Sequence, residues 1–130
     1  MLIALHACDI LTDVAIAAGI KANAQMIIVA PCCHKQIRKA MTVQPGWQTI
    51  LSHGILMERQ AELITDGLRS LLLELHGYQT KVFEFISNEH TSKNIMITAI
   101  KGKANLKAEE TITAIKKEYG IDMHFLETLL

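Results

Sequence analysis

The chain has 130 residues, enough for one domain with a single core. Half of them are hydrophobic, mean hydropathy is +0.24, and Lys+Arg and Asp+Glu balance at 13 each, which excludes a chain-wide field for nucleic acid or an anionic membrane. Three cysteines, two of them adjacent, do not make a secreted disulfide framework, and no apolar run reaches the roughly 18 residues of a membrane helix. Met1–Leu5 lacks the basic start of a signal peptide and Asp9 interrupts it early, so a reducing cytoplasm is the expected compartment.

Leu2 to Ala7 is an apolar strand that starts at the second residue and ends in His6-Ala7-Cys8-Asp9. Thr12-Asp13 opens a helix, with Asp9 or Thr12 as its cap and Gly19 as its stop. Met26 to Arg38 reads MIIVAPCCHKQIR, and the chain is organised around it. Its β-branched run, buried on both faces, predicts a central parallel strand. Pro31 has no N–H for a ladder and ends that strand. Strand, helix, strand, helix makes a right-handed βαβ unit. Parallel strands then put His6–Asp9 and Cys32–Lys35 on one edge of the sheet, where open α/β sheets bind ligands.

Lys35 to Met41 continues as a short helix, and Pro45-Gly46 reads as a turn. Trp47 to Ile55 reads as a short helix followed by a loop at Ser52-His53-Gly54. The clearest helix carries Met57, Ala61, Ile64, Leu68, Leu71 and Leu75 on one stripe and is stopped by Gly77. Glu58, Arg59, Glu62, Asp66, Arg69 and Glu74 fall off that stripe. Thr80–Ile86 and Asn94–Ile100 predict two strands. Their link, Ser87–Lys93, is too short for a helical crossover, so they form an antiparallel hairpin. Ala108, Ile112, Ile115 and Tyr119 mark an amphipathic helix ended by Gly120. Asp122 is the expected cap of a last helix through Leu129.

Three loops thus converge: His6–Asp9, Cys32–Lys35, and Asn88-Glu89-His90 with Lys93-Asn94; His53-Gly54 is a candidate fourth. Three chemical readings compete with simple packing of the cysteines. In one, His6, Cys8, Cys32, Cys33 and His34 hold zinc. The donor types suit it, but there is no CxxC knuckle and adjacent cysteines rarely share an ion, so no metal site is expected. In the second, Cys32 or Cys33 is a nucleophile with His34, His6 or His90 as base, oriented by Glu89 or Asp9. In the third, the loops line a cofactor or substrate pocket by shape and hydrogen bonding. His76 and His124 read as ordinary helix residues.

At these residues the chain resembles a known family. LHACD with Thr12-Asp13, VAPCCHKQIR, HGILMERQAELITDGLRSLLLELHGY and EFISNEHTSKNIMITAIK are similar, over residues 2–101, to the second half of a bacterial family of class I S-adenosylmethionine-dependent methyltransferases. LHACD and PCCH also resemble eukaryotic methyltransferase-like proteins. The resemblance implies an α/β fold, a partial Rossmann-like sheet whose strands are the fourth to seventh, the last antiparallel. It implies S-adenosyl-L-methionine as cofactor. Ala7, Cys8, Asp9, Thr12 and Asp13 match the cofactor-facing motif, with His6 or Asp9 positioning or deprotonating the methyl acceptor. Cys32, Cys33, His34 and Lys35 match the motif facing substrate. Glu89, His90, Thr91, Lys93 and Asn94 match the hairpin motif, with Ser92 where Pro is expected.

The family holds its cofactor mainly with a Gly-rich turn after its first strand, and this sequence has no GxGxxG-like turn. Two readings follow: the C-terminal half of a methyltransferase, or a non-catalytic remnant or subunit that needs a partner with the Gly-rich half. The edge of the Leu2–Ala7 strand carries no Lys, Glu or Pro to blunt it. A homodimer or a partner chain is expected there, with Ile10, Val14 and Ile16 in an exposed apolar patch. A covering C-terminal helix, Asp122–Leu130, is the competing solution within one chain.

Overall fold

The computed structural model describes residues 1–86 and 94–130. Four apolar runs form strands: β1 (Leu2–Leu5), β2 (Met26–Ala30), β3 (Tyr78–Glu84) and β4 (Ile95–Lys101). Between and after them lie α1 (Ile10–Lys21), α2 (Lys35–Ala40), α3 (Pro45–Leu51), α4 (Gly54–Leu75), α5 (Ala108–Glu118) and α6 (Phe125–Leu129). The strands make one mixed, open sheet of order β1-β2-β4-β3. β1 pairs parallel with β2, from Leu2 opposite Ile27 to Leu5 opposite Ala30. β4 runs antiparallel to both of its neighbours, so β3 points the same way as β1 and β2. The hairpin is as expected. β2 is central but is parallel on one side only.

The carboxyl ends of β1, β2 and β3 therefore share an edge with the start of β4. The expected residues Glu89, His90 and Lys93, with Asn88, Thr91 and Ser92, lie outside the described residues. Asn94 is described. It closes the hairpin at that edge: its backbone carbonyl accepts from the Phe85 N–H at 2.9 Å, and its Nδ2 donates to the Phe85 carbonyl at 3.3 Å.

Side chains alternate across each strand. Ile27 and Val29 of β2, and Ile97 and Ala99 of β4, enter one continuous core with Ile16, Ile37, Leu68, Leu73 and Leu126 from the helices. α1 packs on β1 and β2, α4 packs on β3 and β4, and α1 touches α4, so the helices cover the same face. The other face stays open among the described residues. Ile3 and Leu5 are 54% and 55% exposed there, beside Ile28, Met26 and Ile100 in the register. α6 lies on α1, and among the described residues the outer edge of β1 has no strand partner. No described helix is long and apolar enough to cross a membrane.

Several local expectations are corrected. Gly19 does not stop α1, which runs on to Lys21. It lies inside the helix against β2, where an added Cβ would sit 2.7 Å from Ile27 Cδ1. Pro45 is not a turn residue but opens α3, where its missing N–H costs no helical bond. His124, not Asp122, caps α6: its Nδ1 accepts from the Leu126 N–H, and Glu127 reaches back to the His124 N–H. Ile16 is buried in the core, while Ile10 and Val14 remain exposed. Gly77, at φ +94°, does end α4 as expected. On α4, Asp66 and Arg69 lie off the apolar stripe and yet are buried. The helix is covered on a wide arc by the sheet, α1, α2 and α5, so its off-stripe flank is interior as well.

Candidate functional site

β1 ends at Leu5, and the His6 N–H makes one more ladder-like bond to the Ala30 carbonyl at 3.2 Å. The chain then turns sharply. His6 and Asp9 both hold positive φ, at 57° and 43°, conformations that non-glycine residues seldom adopt. Thr12 Oγ1 donates to the Ala7 carbonyl at 2.7 Å and pins the turn from within α1. Asp9 precedes α1, but its side chain does not cap it. Asp9 Oδ1 instead accepts from the Gln36 N–H in the first turn of α2, at 3.4 Å, and so ties the loop after β1 to the loop after β2. Gln36 in turn clamps the C-terminal segment, donating to the Met123 carbonyl and accepting from the Phe125 N–H, both at 3.1 Å.

Beneath the loops lies an ionic network. Arg69 is 0% exposed. Its Nε donates to Asp13 Oδ1 at 2.7 Å, its Nη1 to Asp66 Oδ1 at 3.0 Å, and its Nη2 to the Asp9 carbonyl at 2.9 Å. The other oxygen of Asp66 meets His34 Nε2 at 3.0 Å. Burial alone would pull the guanidinium down, but Asp13, then Asp66, outweigh it and hold Arg69 above its ordinary range. Burial raises the Asp13 carboxyl, and Arg69 only partly opposes that. α4 thus grips both loops from below. Asp66 and Arg69 are the residues that sequence reasoning missed. Their signal was there, a charged i, i+3 pair beside an apolar stripe, but such a pair usually faces water.

The expected site residues divide into two sets. Thr12, Asp13 and His34 are buried and bonded inside, so they position the loops rather than face a ligand. His6, Cys8 and Lys35 are exposed, and Ala7, Asp9, Cys32 and Cys33 are partly so. His53 is the exposed N-cap residue of α4 and makes no side-chain capping bond. Three sulfurs meet at the edge. Cys32 Sγ is 3.4 Å from Cys8 Sγ and 3.7 Å from Cys33 Sγ, and it also approaches the Ala7 carbonyl at 3.7 Å. Burial, then hydrogen bonding with Cys8 and Cys33, pushes the Cys32 thiol up to about 12. At neutral pH Cys32 is therefore a protonated thiol, a poor starting point for a nucleophile.

The edge carries the Asp9 carboxylate, the exposed His6 imidazole and the exposed Lys35 on the same two segments as the three thiols, and those segments are fixed from beneath. A family model described as a methyltransferase domain matches residues 1–40, the stretch from β1 through α2 that supplies all of these groups. No curated protein and no solved structure matches the chain.

Proposed function

We propose that this chain supplies the acceptor-facing half of an S-adenosylmethionine-dependent methyltransferase. The observation that carries the reading is the coincidence of two things. The methyltransferase-domain match covers residues 1–40, and those residues build the chemically equipped edge of the sheet. The order β1-β2-β4-β3, with β4 antiparallel, supports a partial Rossmann-like sheet with strands equivalent to the fourth to seventh of that fold. The cofactor would supply an electrophilic methyl group on a sulfonium. This chain's residues fit only one side of such a cofactor, because the 130 residues hold no Gly-rich turn to cradle the rest. Backbone groups of Ala7–Asp9 form that side. Asp9 or His6 orients the methyl acceptor and takes its proton. Cys32, Cys33 and Lys35 wall the acceptor side, which aligns the reactants and excludes water.

The unpaired edge of β1 and the open face at Ile3 and Leu5 support a second polypeptide on that side, either another copy or a chain carrying the Gly-rich turn. The test is amide NMR of the labelled chain titrated with S-adenosylhomocysteine, beside calorimetry. Weak binding is expected, well short of low-micromolar affinity, with shifts centred on residues 6–9. No shift at that edge at millimolar ligand would overturn the cofactor reading.

A further inference from the structure

The sulfur triangle at the sheet edge goes beyond methyl transfer. Cys8, Cys32 and Cys33 are all free thiols, and their three Sγ atoms lie within 4.8 Å of one another. A cation bonded to three thiolates at about 2.3 Å holds its sulfurs about 3.8–4.0 Å apart, in tetrahedral or trigonal geometry. The separations of 3.4 and 3.7 Å from Cys32 to its two neighbours differ from that by well under an ångström. In the sequence, the adjacency of Cys32 and Cys33 and the missing CxxC both speak against a metal. The structure removes the first objection, because both sulfurs of the pair already point to one spot. It also brings the third donor from a different loop. Cys8 is held in place by the strained turn at His6 and Asp9 and by the Arg69 bond to the Asp9 carbonyl, so the triangle is assembled before any ion arrives.

We propose that Cys8, Cys32 and Cys33 form a three-thiolate site for one thiophilic d10 cation. Each thiol releases its proton to solvent as its sulfur binds, and the metal undergoes no redox change. Among the described residues no imidazole or carboxylate completes the cluster, so the donor set is wholly soft and selects zinc(II) or copper(I) over magnesium or calcium. Cys8 is exposed, which leaves a fourth position facing solvent. Zinc would keep a water there. Copper(I) would be satisfied by the three sulfurs.

The reduced full chain, titrated without oxygen, tests this in two arms. One uses zinc(II), with cobalt(II) as its coloured stand-in; the other uses copper(I) in acetonitrile. Thiolate-to-metal charge-transfer absorption and elemental analysis after gel filtration give the stoichiometry. The expected result is one equivalent in at least one arm and a raised melting temperature, since the folded chain presents three donors where the unfolded chain presents an isolated pair. A tetrahedral cobalt spectrum assigns the divalent ion, and copper that excess zinc cannot displace assigns the monovalent one. Cys8→Ser and Cys32→Ser should each lose the ion while circular dichroism stays that of the parent chain; Cys8 is exposed, so its replacement leaves the core intact. Absence of stoichiometric metal in both arms would overturn the proposal, and so would full binding by Cys8→Ser. No turnover is measured, so the outcome is independent of the methyl-transfer reading.

Discussion

His124 makes the stability of this fold sensitive to acid. It is 1% exposed, and its Nδ1 is committed to accepting the Leu126 N–H at 3.1 Å. Burial, then the charge of Arg69, lowers it from 6.5 to about 4. The unfolded chain thus binds a proton at His124 below pH 6.5, and the folded chain resists one until about pH 4. Where the unfolded state holds more protons, stability rises with pH. The contribution of the neutral imidazole is therefore whole above pH 6.5 and is lost as the pH falls from there towards 4. Fully expressed, that gap is worth about 3 kcal/mol, of which about 2 kcal/mol is gone by pH 5. His124→Asn is the matching perturbation, because Asn accepts at an N-cap without titrating. Urea unfolding at pH 7 and pH 5 gives the comparison. The parent chain should lose about 2 kcal/mol more than the variant across that interval. Asp13 and every other acid group titrate in both chains and cancel in the difference. Equal losses would refute the assignment of a depressed, buried imidazole.

Three further outcomes follow from the geometry. Arg69→Met leaves Asp13 and Asp66 buried without their cation and should cost about 3–5 kcal/mol in urea unfolding; adding Asp13→Asn and Asp66→Asn should recover part of it, and a loss under about 1 kcal/mol would mean the network carries little. Gly19→Ala gains about 1 kcal/mol of helix propensity but drives a methyl into buried Ile27, at about 1–3 kcal/mol, so the net change should be a loss that Ile27→Val in the same background reduces. Sedimentation at micromolar concentration should show a dimer that Ile3→Lys weakens; a clean monomer whose residue 2–5 amides resist exchange would refute association at that edge.

What the sequence made legible was periodicity. The β-branched run at Ile27–Val29, the stripe from Met57 to Leu75 and the short link after Ile86 each carry a repeat or a length that only one element satisfies. Because β1 and β2 are parallel, the convergence of His6–Asp9 with Cys32–Lys35 could also be read from the pattern. Single-residue punctuation was harder. Gly19 suits a helix stop and a close approach to a strand equally well, and Pro45 suits a turn and a first helical position. Of the buried network only the Asp66–Arg69 pair, at i, i+3, was visible, and not its partners. Asp13 and Arg69 are 56 residues apart, and His34 and Asp66 are 32 apart, so their meeting is decided by how α1 and α2 lean on the flank of α4. For the same reason the sequence could list Cys8 beside Cys32 without giving their 3.4 Å separation.

The arrangement has a consequence for where this edge is controlled. His6, Cys8, Cys32 and Cys33 sit on loops, and short loops are soft unless something fixes them. Here the fixing comes from one helix, α4, which contributes none of the three sulfurs. Arg69 holds the Asp9 carbonyl, anchors α1 through Asp13, and reaches the loop after β2 through Asp66 and His34. Asp9 also joins the first turn of α2, just past that loop, through the Gln36 N–H. The two loops are therefore bound to each other and to a common support. An opening of the Arg69 contacts would move Cys8 and Asp9 together, relative to Cys32 and Cys33, rather than any one residue alone. The spacing of the three sulfurs and the aim of the Asp9 carboxylate are thus two readouts of one buried guanidinium. A conservative Arg69→Lys change would disturb both, because a point-like ammonium cannot reproduce a fork that serves Asp13, Asp66 and the Asp9 carbonyl at once.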